Sequence, residues 1–144
     1  MRVVIDTNVL IAALVRPGGN AARLLEAWRE GRVEVVASEA TLREAELVVG
    51  GAWVARLSAK ERVRELLNEL RERSVIVPGR QIAGLPLKDA GDRRLVEAAV
   101  EGGARYLVTT DREVLRYRGH GPTEFVTPEE ALRALGAEEG PASA

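Results

Sequence analysis

Short apolar runs and longer capped segments alternate along the chain. Val3-Val4-Ile5, Val33 to Ala37, Val75-Ile76-Val77, Arg105 to Thr109 and Glu124-Phe125-Val126 are brief and mostly free of polar alternation, the pattern of strands buried on both faces of a parallel sheet. Between them lie stretches bounded by helix start and stop signals. Asn20 is placed to cap a helix through Glu30 that Gly31 stops, and Ser38 a helix to about Val49 ended by Gly50-Gly51. Ser58 is placed to cap a helix to about Arg73, Asp89 one to about Glu101, and Pro128 suits the first turn of a last helix to about Leu135. Arg80 to Lys88 has no readable period, a short helical turn starts near Asp111, and the segment with Gly119, Gly121 and Pro122 reads as a basic loop. Strands alternating with helices predict an α/β fold with right-handed crossovers, its parallel sheet of four or five strands covered on both faces.

Length and composition narrow this picture. With 144 residues the chain suits one domain, expected over 1–136, with 137–144 a disordered tail. Only five aromatic residues accompany 46% hydrophobic content, so the core is expected to be Val, Leu, Ile and Ala. The absence of cysteine excludes a disulfide scaffold, a thiolate zinc site and a cysteine nucleophile, and a single histidine excludes a multi-histidine cage. No signal-peptide pattern and no apolar run of about 18 residues is present, so a cytoplasmic location is expected. A net charge of −1 leaves any grip on nucleic acid to local patches.

The candidate chemistry lies in the acids. Asp6 falls at the carboxyl end of the first strand, the edge at which open α/β sheets bind ligands; it could equally cap the helix that follows. Glu44 shares a predicted helix face with Ala40, Leu47 and Val48, and a glutamate in an apolar stripe calls for a reason. Asp92 lies three residues after Asp89, whose better reading is as a helix cap, and Asp111 follows the fourth strand. If strands one and four are neighbours, Asp6 and Asp111 flank one crevice, and the helix before strand four can point its first turns into it. Carboxylates about 4 Å apart repel by roughly 4 kcal/mol at an effective dielectric of 20, so such a cluster demands protons or cations. Oxygen ligands without histidine or cysteine favour Mg²⁺ or Mn²⁺, ions suited to phosphoryl transfer.

Taken together, these residues resemble the PIN-domain family, and within it the VapC-like toxins of bacterial toxin–antitoxin pairs, from Val3 to about Leu135. Family members open with a strand ending in Asp-Thr-Asn, as in Asp6-Thr7-Asn8, and carry a glutamate in the helix after the second strand, as Glu44 does. Their third acid opens a helix that continues into small residues, here Asp92, and their fourth follows a strand in a Thr-Gly-Asp pattern. This chain reads Thr109-Thr110-Asp111, departing at the glycine.

The resemblance implies a three-layer α/β/α sandwich and metal-dependent endoribonuclease activity. Asp6, Glu44, Asp92 and Asp111 would hold Mg²⁺ or Mn²⁺, with Asn8 and Thr109 orienting carboxylates or waters behind them. It further implies a homodimer or higher oligomer and an antitoxin protein as partner. Arg16, Arg93, Arg112 and Arg116 sit near these acids in sequence and could hold phosphates of a single-stranded or structured RNA substrate. Trp28 and Trp53 read as packing or interface residues, Trp53 being the better interface candidate. Three alternatives stand beside this reading. They are a receiver-like Mg²⁺-binding signalling domain, a PIN-like module kept only for binding, and a nuclease acting on DNA.

Overall fold

The computed structural model describes residues 1–51 and 60–140. Ser58 and Trp53, read above as a helix cap and an interface residue, lie outside them. The elements run β1 (Arg2–Ile5), α1 (Thr7–Val15), α2 (Asn20–Arg29), β2 (Glu34–Ser38), α3 (Glu39–Val49), α4 (Lys60–Arg73), β3 (Val75–Val77), α5 (Ala90–Glu101), β4 (Tyr106–Val108), α6 (Arg112–Leu115), β5 (Gly119–His120), β6 (Thr123–Val126) and α7 (Pro128–Glu139). They form one six-stranded sheet in the order β3-β2-β1-β4-β6-β5. All neighbouring pairs are parallel except β5 with β6.

The sheet therefore has one strand more than expected. Gly119-His120, read as loop, returns antiparallel on β6, a pairing too short to leave any alternating pattern in the sequence. Two helix boundaries also moved. Gly19, not Asn20, caps α2, and it does so without a side-chain bond. α7 runs four residues beyond Leu135 to Glu139, so the tail expected from residue 137 begins inside a helix. Its capping box, in which Thr127 and Glu130 exchange bonds, secures the start.

Helices cover both faces, as a three-layer sandwich requires. Val3, Ile5, Val35, Tyr106, Val108 and Val126 pack on α1, α2, α4 and α7. On the other face Val4, Val36, Val77, Leu107 and Phe125 pack on α5 and α6. Successive strand residues point to opposite faces, so Val3 and Val4, both almost fully buried, serve the two cores in turn. Trp28 is buried in the first core beneath the Arg73 guanidinium, 5.2 Å from its ring, which settles it as a packing residue. No described helix is long and apolar enough to cross a membrane.

Candidate active site

β1 lies beside β4 at the centre of the sheet, and the chain leaves this pair in opposite directions, toward β2 and toward β6. That is the switch point at which a crevice opens beyond the strand ends. Asp6 ends β1, its backbone N–H still donating to Val108 of β4 at 2.9 Å. Asp111 stands three residues beyond β4. Between them Thr109, wholly buried, donates its hydroxyl to Asp6 Oδ2 at 2.8 Å and accepts the Asp111 N–H at 3.0 Å. One threonine thus fixes the spacing of both strand-end acids.

The capping and site readings prove compatible. Asp6 accepts the Asn8 N–H at 3.4 Å and caps α1. Asp111 Oδ1 caps α6 through Glu113 N–H at 2.9 Å. Asp89 caps α5 through Asp92 N–H at 3.0 Å, as expected of it. Among the described non-glycine residues only Arg118 has positive φ, so Thr110 turns the chain into Asp111 without needing the family's glycine.

The two remaining acids come from helices. Asp92 lies in the first turn of α5. Glu44 projects from α3, but its helix face is not the apolar stripe expected. α3 buries Thr41, Leu42 and Ala45, while Leu47 is 72% exposed, so Glu44 borders open space and needs no special partner to be tolerated. α3 meets α5 at Gly91, where an added Cβ would lie 3.1 Å from Glu44 Oε1 and 3.0 Å from Asp89 Oδ1. The glycine lets the Glu44 carboxylate approach the start of α5.

Asp6, Glu44, Asp92 and Asp111 line one cavity of about 650 Å³, together with Asn8, Asp89 and Glu113. Crowding shows in the acidity of Asp6 and Asp92. Burial pushes the Asp6 carboxyl up, opposed by the Thr109 and Asn8 hydrogen bonds, with the Asp111 charge adding to the rise. Asp92 is pushed up to about 6, first by lost hydration and then by the charges of Asp89, Asp111, Asp6 and Glu44. All three other acids of the set therefore reach Asp92 electrostatically. Among the described residues, though, no three acidic or histidine side chains stand close enough to hold an ion as they are. Converging oxygen donors and a glycine that clears their approach still fit a hard divalent cation.

The expected RNA-contacting arginines fare differently. Arg116 lines the cavity, 3.3 Å from Glu113 and with its guanidinium 5.1 Å from the Tyr117 ring centroid. Arg16 and Arg112 are exposed and lie outside the lining. Arg93 donates to the carbonyls of Leu87 and Lys88 at 2.9 and 2.7 Å, so its guanidinium is engaged in holding a loop. Sequence reasoning passed over Lys88 and Tyr117, which also line the cavity. Lys88 directly precedes Asp89, and that adjacency was a usable signal; Tyr117 left none.

The PIN domain profile matches residues 2–113, most of the chain. The chain belongs to the PIN-domain family. PIN-domain proteins are generally nucleases that use divalent metal ions. The fold is similar to a chain of VapBC2 from Rickettsia felis, solved bound to a DNA fragment from its promoter, with 18% identity, a TM-score of 0.56, and 87% of this chain and 98% of that one covered. FitAcB from Neisseria gonorrhoeae aligns over 88% of this chain and 98% of its own at 19% identity, with a TM-score of 0.47. No curated protein matches the sequence. Family membership removes the receiver-like alternative.

Proposed function

We propose that the protein is a metal-dependent endoribonuclease and the toxin component of a toxin–antitoxin pair. The observation that carries the reading is the joint lining of one cavity by Asp6, Glu44, Asp92 and Asp111, each delivered by a different element. Retention of all four acids favours an active enzyme over a PIN-like module kept for binding alone.

In this reading the four carboxylates hold Mg²⁺ or Mn²⁺. The cation, when bound, supplies positive charge against the negative charge developing on phosphorus and makes a nearby water more acidic. The chain's own residues do the rest. Thr109 keeps Asp6 and Asp111 at fixed separation, so the cation site need not be organised at the moment of reaction. Asn8, whose side chain is exposed at the cavity wall, orients a carboxylate or a water. Asp92, with its pKa near 6, can release a proton to solvent when a cation arrives and take one up when it leaves. Arg116 offers a guanidinium to a flanking phosphate. The antitoxin reading rests on the family resemblance and the likeness to VapBC2, and a homodimer and a cytoplasmic location belong to the same proposal.

The test is cleavage of single-stranded and structured RNA, with DNA as comparison, in Mn²⁺ and in chelator, using the wild type and Asp6→Asn. Cleavage of RNA by the wild type only with Mn²⁺ supports the proposal. Equal cleavage by Asp6→Asn, or preferential cleavage of DNA, overturns it.

A further inference from the structure

The segment between β3 and α5 has no regular structure, yet its backbone is held along its length by side chains of α5. Glu101 Oε1 accepts the N–H groups of Gly79 and Arg80 at 2.7 and 2.9 Å. Glu97, only 2% exposed, accepts the Ile82 N–H through Oε2 at 2.8 Å. Arg93 closes the far end through the Leu87 and Lys88 carbonyls, and Tyr117 reaches across with its hydroxyl 3.4 Å from the Pro86 carbonyl. Burying a glutamate costs several kcal/mol unless it is paired and bonded. Here Arg94 lies 3.0 Å from Glu97 Oε1, although that oxygen receives no well-aligned hydrogen bond.

A loop held this firmly presents its last residues at a defined place. Leu87 is buried beneath α5, and Lys88, exposed, lines the acidic cavity beside Asp89. The chain uses lysine only twice against nineteen arginines. None of the ion pairs among the described residues next to the cavity engages the Lys88 ammonium. Arg116 lines the same cavity but is paired with Glu113, so Lys88 brings to this acid-lined cavity a cation that no described carboxylate engages.

We infer that Lys88 contacts a phosphate of single-stranded RNA next to the scissile bond, and that Arg93 is a positioning residue that acts through the loop and not by touching RNA. This rests on the nuclease reading and assigns part of its substrate-binding rim. A compact ammonium with rotatable donors suits a phosphate whose orientation changes during cleavage, while Arg93, with one guanidinium nitrogen shared by two carbonyls, suits a fixed tether.

The experiment is binding of a fluorescent single-stranded RNA oligonucleotide to full-length Asp6→Asn protein in Mn²⁺, across a range of salt. Lys88→Ala, Arg93→Ala and the double variant are compared in that background, with melting curves confirming folded protein. Lys88→Ala is expected to raise Kd about five- to tenfold and to reduce the salt slope by about 0.7. Arg93→Ala is expected to weaken binding less, and the double variant to match Lys88→Ala alone, the non-additivity of two residues acting through one contact. An unchanged Kd and slope in Lys88→Ala overturns the inference while leaving the nuclease reading intact. A further loss of about 0.7 in slope in the double variant overturns the role given to Arg93. Should the Asp6→Asn protein bind no RNA while the wild type cleaves none, the nuclease reading fails with it.

Discussion

Replacing Asp92 with Asn tests whether the acids of the cavity truly press on one another. The side chain is isosteric and the capping bond at this turn uses the Asp92 backbone N–H, so the substitution removes charge and little else. The rise from the ordinary 3.8 to about 6 corresponds to about 3 kcal/mol between protonation states; Asp92 is only half-buried, and solvent screening leaves about 1 kcal/mol of it. The sign follows from proton uptake. An acid whose pKa is higher in the folded chain binds a proton on folding, so its contribution is most favourable below 3.8 and is lost as pH rises through about 6. In chelator at about pH 8, Asp92→Asn should therefore melt about 2 to 4 °C above the wild type. Near pH 3 and below the difference should shrink toward zero, because Asp92 is then mostly protonated in the folded and the unfolded chain alike. Thermal melts of both proteins at the two pH values supply the measurement. A variant less stable than the wild type at the higher pH, or a shift independent of pH, refutes the crowding of charge at this site.

Further outcomes follow from the same geometry. Thr109→Val removes a buried hydroxyl that bonds both Asp6 and Asp111, so it should cost about 1 to 3 kcal/mol in a denaturant melt and slow RNA cleavage more than it weakens RNA binding. Mn²⁺ should raise the melting temperature of the wild type, by a stabilisation of about 2.7 kcal/mol at a hundredfold excess over its dissociation constant, with a smaller rise in Asp6→Asn. Arg116→Ala should weaken RNA binding and reduce its salt slope by about 0.7, while Arg112→Ala, outside the cavity lining, should do so less.

Asp6, Asp92 and Asp111 were readable as candidates in the sequence because each follows a local signal. Asp6 and Asp111 end apolar runs, and Asp92 follows a cap. The sheet's centre was readable for the same reason, since Val3 to Ile5 and Tyr106 to Val108 admit no polar residue. Glu44 was placed on the right element for an incomplete reason, because the exposure of Leu47 depends on what packs beside α3 and not on periodicity within it. Thr109 is buried between Asp6 and Val126, a tertiary fact that the sequence marked only through its family resemblance and its place two residues before Asp111. The loop at 79–88 left least trace, since its order comes from Glu97, Glu101 and Arg93 on another element. Glu97, inside Leu95-Val96-Glu97-Ala98-Ala99, was the one sign that something polar had to be held there.

The central claim is that these four carboxylates together hold a divalent cation. Calorimetric titration of the metal-free protein with Mn²⁺ near pH 6, repeated for single Asn or Gln replacements of Asp6, Glu44, Asp92 and Asp111, measures that directly. Saturable binding by the wild type is expected, accompanied by proton release because Asp92 is partly protonated at that pH, together with weaker binding in every variant and less proton release in Asp92→Asn. Absence of saturable binding, or affinity unchanged by all four replacements, would contradict it.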